Sequence, residues 1–438
     1  MDGATAIVAV ALVGFAIVSK RLSRSAVTGT MLFAALGLVL GPELVDLIDV
    51  AGLLDRSEFV TLVLTGALVI VLFTDASAIN SAKWSDDIIP ARLLGIGLPV
   101  AIGLGWLFAA VLFGNLQIWE AAVLGTMLAP TDAALGKAVV SNERVPRRVR
   151  QALNIESGLN DGISLPVFLV FLETALATEE SLAVSDLFVE LGKQVGIALV
   201  IGVLVGALGA RAIAWARSSA TAIDYWLEIG LVALAVSAYT IATPLGGSGF
   251  IAAWVAGFVF GQQYVTRHDD TLPEFAEASG DLLTMISFFV FGIFLGPVLA
   301  DLTWQTVVYG LLSLVVVRLV AVAISLVDAG LRWQTIAYIG WFGPRGLATI
   351  ILTLEIIDES GLEGSSTIAD TALFTVGLSV LFHGMSAWWG SNNYADYIEA
   401  HPKRDRLVEG RQPTSTVRVP FRARHPEQRH PTGRDVSP

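Results

Sequence analysis

The sequence predicts an all-α polytopic membrane protein, and three observations carry that reading. The 438-residue chain is 54% hydrophobic and 15% charged, with a mean hydropathy of +0.69, far too apolar for a soluble domain of this length. Apolar stretches of about 20 residues, the length that crosses the hydrocarbon core of a bilayer, recur about thirteen times. Basic residues gather on one side of these stretches and acidic residues on the other.

The windows fall near 4–19, 26–42, 59–79, 89–113, 118–140, 152–175, 187–214, 225–244, 249–264, 280–299, 305–327, 334–357 and 368–389. The first resembles a secretion signal in length, but Lys20 and Arg21 follow its apolar run instead of preceding it. It is therefore read as span 1. The Gly-rich connection at 244–249 admits either a short loop or a re-entrant turn.

With spans alternating in direction, Lys20, Arg21, Arg24, Lys83, Arg144, Arg147, Arg148, Arg211, Arg217, Arg267 and Arg332 share one face. Arg56 stands on the other with Glu43, Asp46, Asp49, Asp55, Glu58, Glu120, Glu179, Glu180, Asp358, Glu359 and Glu363. The positive-inside bias then places the N-terminus outside and the C-terminus in the cytoplasm of a multi-pass plasma-membrane protein. Tryptophans such as Trp84, Trp119, Trp226, Trp304, Trp333, Trp388 and Trp389 fall near span ends and read as interfacial anchors against lipid. From about 391 to 438 the chain turns polar and rich in arginine and proline, the composition of a disordered cytoplasmic tail.

Composition also excludes chemistry. There is no cysteine, hence no disulfide, thiolate metal site or cysteine nucleophile. His268, His383, His401, His425 and His430 are scattered and make no ligand pattern, and a net charge of −12 argues against nucleic acid.

What remains is a set of polar residues where lipid-buried chain should be apolar. Asn154-Ile155-Glu156-Ser157-Gly158-Leu159-Asn160-Asp161-Gly162 opens span 6, and each ionised side chain at such depth costs roughly 2.5–3.5 kcal/mol on insertion scales. On a helix Glu156 and Asn160, and Ser157 and Asp161, are i,i+4 neighbours, so four oxygen-bearing side chains crowd about two turns. That pattern suits a cation site or a proton relay. In span 5, Ala129-Pro130-Thr131-Asp132 puts a proline beside a hydroxyl and a carboxylate, the signature of a broken helix with freed carbonyls. Span 12 repeats the device with Gly343-Pro344-Arg345-Gly346.

Broken segments at matching places in two halves point to an inverted-repeat transporter with its site at the midplane; here spans 1–6 and 8–13 form the halves. Arg345 is the expected counter-charge of a buried acid, Glu156 being the first choice. A hard monovalent cation seeks several oxygens, and Asp161, Asp132, the Ser157 hydroxyl and an opened backbone oxygen near Thr131 supply them. Asp75 is open between an access funnel and ordinary helix-end solvation. Arg318 is expected to pair with a carbonyl or acid that the sequence does not identify.

These three motifs, in this order and spacing, closely resemble the monovalent cation:proton antiporter-1 family, the NhaP-like sodium/proton exchangers, over essentially residues 1–390. The resemblance implies a thirteen-span inverted-repeat antiporter fold with spans 5 and 12 broken and crossing. Spans 4–6 and 11–13 would form a core that moves against a dimerisation scaffold of spans 1–3 and 7–10, in a homodimer. It implies that Asp161 is the ion and proton carrier, that Asp132, Thr131 and Ser157 are its co-ligands for Na+, and that Glu156, Asn160 and Arg345 form a supporting polar network. No cofactor is implied beyond the transported ions. The Asn160-Asp161 pair resembles the electroneutral branch, and Ala133 departs from the proline many relatives carry there, which bears on ion selectivity. K+ in place of Na+ is the alternative on the same fold. A channel, an ion sensor and an intramembrane aspartyl protease are the readings of other classes; the protease is disfavoured because Gly158-Leu159-Asn160-Asp161 lacks the Gly-x-Gly-Asp pattern of that class.

Overall fold

The computed structural model describes residues 2–22, 25, 27–48, 57–79, 88–177, 184–265, 274–358 and 361–401. The calls on Arg24, Asp49, Asp55, Arg56, Lys83, Trp84, Glu179, Glu180, Arg267, His268, Glu359, His425 and His430, and on the tail beyond 401, lie outside the described residues. Those described are helical or irregular, with no strand among them.

The helices follow the apolar windows in order: α1 Asp2–Leu22, α2 Gly29–Leu40, α3 Ser57–Ser77, α4 Ile88–Leu112, α5 Ile118–Met127 and α6 Ala133–Val140. Next come α7 Arg147–Leu176, α8 Val184–Ser218, α9 Asp224–Ala242, α10 Gly249–Phe260, α11 Glu274–Ala300 and α12 Trp304–Ser325. The chain continues with α13 Trp333–Trp341, α14 Leu347–Asp358 and α15 Ser365–Ala400. Among the described residues eight helical stretches are long and apolar enough to cross a membrane alone. The fifth and twelfth windows are each split, into α5 and α6 and into α13 and α14, as their prolines require. The 244–249 connection is a tight corner: a single 3-10 turn at Thr243–Leu245, then Gly246 at φ +82, then α10 capped by Ser248.

Two packing neighbourhoods emerge. Helix α10 lies against α3, α8 and α9, and α11 lies against α2 and α3. In the other, α4 packs on α5, α5 on α7, α12 on α13 and α15, and α6 and α14 on α15. Helix α7 runs along the seam, touching α3, α8 and α10 as well as α5 and α6. The approach of α4 to α5 is close enough that a Cβ on Gly125 would meet the Trp106 backbone.

Helices α4 and α12, which each precede a broken pair, share a second irregularity, a π-turn at Leu93–Gly97 and at Leu312–Val317. An extra residue in a helix rotates everything after it by about 100°. At α12 the first residue after the turn is Arg318, which is buried.

Helix α15 continues to Ala400, past residue 391 where the composition becomes polar. Packing explains the extension. Tyr394 stacks on Tyr338 at 4.1 Å and shares a hydrogen bond with Thr335 at 2.9 Å, Asn392 accepts from Asn142 at 3.2 Å, and Arg144 pairs with Asp396 and Glu399.

Replacing Gly125 with valine should lower the melting temperature of the detergent-solubilised protein, by the about 1–3 kcal/mol typical of overpacking, with aggregation-free elution as the fold control.

Candidate ion-binding site

The two broken helices meet through Asp132. Its N–H donates to the Pro344 carbonyl at 2.7 Å. Its Oδ1 accepts from the Leu135 amide at 3.1 Å, at the start of α6, and its Oδ2 from the Leu347 amide at 2.7 Å, the first residue of α14. One carboxylate thus caps two half-helices, whose exposed N–H groups and positive dipole ends favour an anion there. A Cβ on Gly346 would collide with this carboxylate, so the crossing requires glycine at that position.

The carbonyls freed by the breaks are also taken up across the crossing. Thr349 donates to the Met127 carbonyl at 2.9 Å, Arg345 Nη1 to that of Pro130 at 2.8 Å, and the Asn160 amide to the Thr131 hydroxyl at 2.7 Å and carbonyl at 3.4 Å. The Arg345 amide donates to Ser379 Oγ at 2.7 Å, and that hydroxyl also lies 3.0 Å from His383 Nδ1. Arg345 is fully buried, and its Nε and Nη2 have no hydrogen-bond partner among the described residues.

Glu156 is not paired with Arg345. Its carboxylate takes a bidentate contact from Arg318, at 2.5 and 2.8 Å, and both side chains are buried. Arg345 feels Glu156 only through space, alongside Arg318 and Tyr309. Arg318 shares the buried face of α12 with Leu314, Ala321, Val322 and Ser325, which turns it inward to Glu156, while Arg345 is committed to the Pro130 carbonyl. The remaining Arg318 donors reach toward α13, with Nη2 3.4 Å from the Ile339 carbonyl, and a Cβ at Gly343 would strike the guanidinium. Arg318 is therefore the partner that Glu156 needs and that the sequence left unassigned.

Asp161 lies one helical turn beyond Ser157, on α7, and is partly accessible. Two other aspartates act on it through space, Asp132 first and Asp75 on α3 second. All three are partly exposed, whereas Glu156, Asn160, Thr131 and Arg345 are buried. Asp75 is placed by backbone contact, since a Cβ on Gly158 would sit 3.4 Å from the Asp75 carbonyl. Ser157 donates to the Asn154 carbonyl at 3.2 Å, which leaves its oxygen lone pairs available. Pro166, inside α7, removes the helix donor that the Gly162 carbonyl would otherwise have. That proline, one turn past Asp161, was the legible sign of a further opened carbonyl near the site.

The arrangement thus places Asp161 one turn from the Ser157 hydroxyl and within electrostatic reach of Asp132 and Asp75, beside a buried frame of amides and arginines. Comparison with known proteins agrees with this geometry. A family profile described as sodium/hydrogen exchanger, transmembrane, matches residues 7–389. The chain belongs to that family.

Among curated relatives, this chain is 25% identical over 379 residues to the K(+)/H(+) antiporter NhaP2 of Shewanella baltica, covering 84% of this chain and 63% of the relative. It is 24% identical over 387 residues to a Na(+)/H(+) antiporter of Schizosaccharomyces pombe, covering 80% and 81%. The chain spans about three-fifths of the length of the NhaP2 relative. The structure of the sodium proton antiporter MjNhaP1 from Methanocaldococcus jannaschii at pH 8 superposes with a TM-score of 0.71 at 21% identity, covering 90% of this chain and 97% of that one. The all-helical antiporter fold expected from the motifs is the fold observed.

Breaking the Glu156–Arg318 pair should be costly because it strands a buried charge. Arg318→Leu is expected to lose about 3–5 kcal/mol, while the double variant Glu156→Leu/Arg318→Leu loses clearly less than Arg318→Leu alone, as read from thermal melts in detergent.

Proposed function

We propose that this exchanger is a secondary active antiporter, not an enzyme, trading one monovalent cation for one proton across the plasma membrane by alternating access, for pH and sodium homeostasis. The observation that carries the reading is the placement of Asp161 on α7 within electrostatic reach of Asp132 and Asp75. A carboxylate in that setting binds either a proton or a cation, so loading one displaces the other. In this reading Asp161 is the carrier, with Asp132, Ser157 and Thr131 as co-ligands for Na+. Thr131 contributes at most a second lone pair, since its hydroxyl and carbonyl already accept from Asn160. Glu156, Asn160 and Arg345 hold the two breaks in register, and Arg318 joins them.

Asn160 supports electroneutral exchange: its amide cannot carry a second proton, and its Nδ2 group donates to Thr131. The two packing neighbourhoods support a mobile core of spans 4–6 and 11–13 against a scaffold of spans 1–3 and 7–10, with the scaffold as the surface for a homodimer. The loop charges support an N-terminus outside and a C-terminus inside. A K+/H+ antiporter is the second reading, favoured by the K(+)/H(+) name of the NhaP2 relative.

In proteoliposomes, Asp161→Asn should abolish cation-driven proton movement while the melting temperature holds, and Asp132→Asn should come close to the same loss. Full activity in Asp161→Asn removes the assignment. Dye dequenching with Na+, Li+ and K+ added in turn decides the ion.

Mutual displacement also fixes the direction of the pH effect. The cation concentration at half-maximal rate should rise as pH falls, because protons then hold the carrier. The rate should not change when a membrane potential is imposed with a K+ gradient and valinomycin in Na+-driven assays.

A further inference from the structure

A cavity of about 280 Å³ lies at the end of the bundle that carries the α9–α10 corner. Its rim is polar, with Gln194 on α8, Tyr239 and Thr243 on α9, Ser248 and Glu355. Its floor is apolar: Leu165 and Phe168 on α7, Leu352 on α14 and Phe250 on α10. Leu165, Phe168 and Leu352 are buried members of one hydrophobic cluster, with Phe250 and Trp254 packed on it.

The floor stands directly over the ion site. Leu165 is four residues beyond Asp161, so it covers the same face of α7 one turn away, and its side chain leans back toward Asp161. Helix α14 spans the whole distance. Its first amide, Leu347, is bonded to Asp132, and its Glu355 lies in the cavity, eight residues or about 12 Å farther on at 1.5 Å per residue. Trp254 closes the side, donating to the Gly158 carbonyl at 3.0 Å. The three aspartates lie on the opposite side of this floor, toward the end at which α3 finishes.

We propose that this cavity is the outer ion vestibule of the exchanger, that Glu355 recruits the cation there, and that Leu165, Phe168, Leu352 and Phe250 form the dry plug separating it from Asp161. The proposal rests on the antiport reading and on the orientation given above. Glu355 is exposed and lies close enough to Tyr239 to act on its hydroxyl through space, so its charge sits at the cavity mouth. A carboxylate inside a cleft with apolar walls concentrates cations locally and raises their arrival rate, an effect that added salt screens. The corner beside the cavity is tightly packed: a Cβ on Gly247 would meet Ile197 and one on Gly249 would meet Tyr239.

The test is sidedness. In oriented proteoliposomes, Glu355→Gln should raise the half-saturating Na+ concentration about threefold or more for Na+ supplied at the outer face and leave the cytoplasmic value unchanged, while Glu355→Asp stays near the unsubstituted protein. The outer effect should vanish when choline chloride raises the ionic strength. Equal shifts on both faces, or no shift, overturn the role of Glu355. Because the chain has no cysteine, a single introduced one is a clean reporter. Gln194→Cys should react with a membrane-impermeant maleimide added outside and Leu165→Cys should not; labelling of Gln194→Cys only from the cytoplasmic side overturns the vestibule. Absence of any cation-driven proton movement in the unsubstituted protein counts against the antiport reading itself, and exchange with a two-sided Glu355 effect counts against the vestibule alone.

Discussion

Everything at the centre of this protein depends on one carboxylate holding two helix ends. A chain that breaks a helix inside a membrane leaves amides and carbonyls with no water to satisfy them, and each orphan costs several kcal/mol. Asp132 answers the amides of α6 and α14 together, and its own N–H answers Pro344. The matching carbonyls go to Thr349, Arg345 and Asn160. The result is a crossing in which the backbone groups opened at Met127, Pro130 and Thr131 all find donors, while Arg345 Nε and Nη2 and Asn160 Oδ1 keep unused bonding capacity beside it.

That economy separates the site into two kinds of acid. Glu156 is neutralised by a bidentate arginine in a dry environment and is fixed. Asp161 is of another kind: it is partly accessible and feels Asp132 and Asp75 through space. Asp132 belongs to the frame as well, since both its oxygens cap helix ends. A fixed buried pair has nothing to gain from a visiting ion, so in the antiport reading proposed above Asp161 is the acid that changes partners.

Much of this was legible in the residues. Proline beside hydroxyl and carboxylate at 130–132, and Gly-Pro-Arg-Gly at 343–346, named the two breaks, and the apolar windows named the helices around them. The side-chain partners were less legible, for definite reasons. Arg318 was expected to pair with an acid or carbonyl, but its partner Glu156 lies 162 residues away, a separation that helical period does not bridge. Arg345 looked like the partner of Glu156 because sequence counts charges but does not see the Pro130 carbonyl competing for the guanidinium. Asp75 belongs beside Asp161 through a contact between two helices far apart in the chain. The end of α15 was misjudged because polar residues on a helix supported by Tyr338, Thr335 and Asn142 resemble, by composition alone, a chain with nothing to hold it.

The clasp at the end of α15 has a mechanical meaning. Arg144, in the connection between α6 and α7, grips Asp396 and Glu399, and Arg332 holds the His401 carbonyl at 2.8 Å. The end of α15 is thus tied both to the α6–α7 connection and to the residue before α13, so a shift of α15 along its axis pulls on the segment that leads into α7, the helix bearing Asp161.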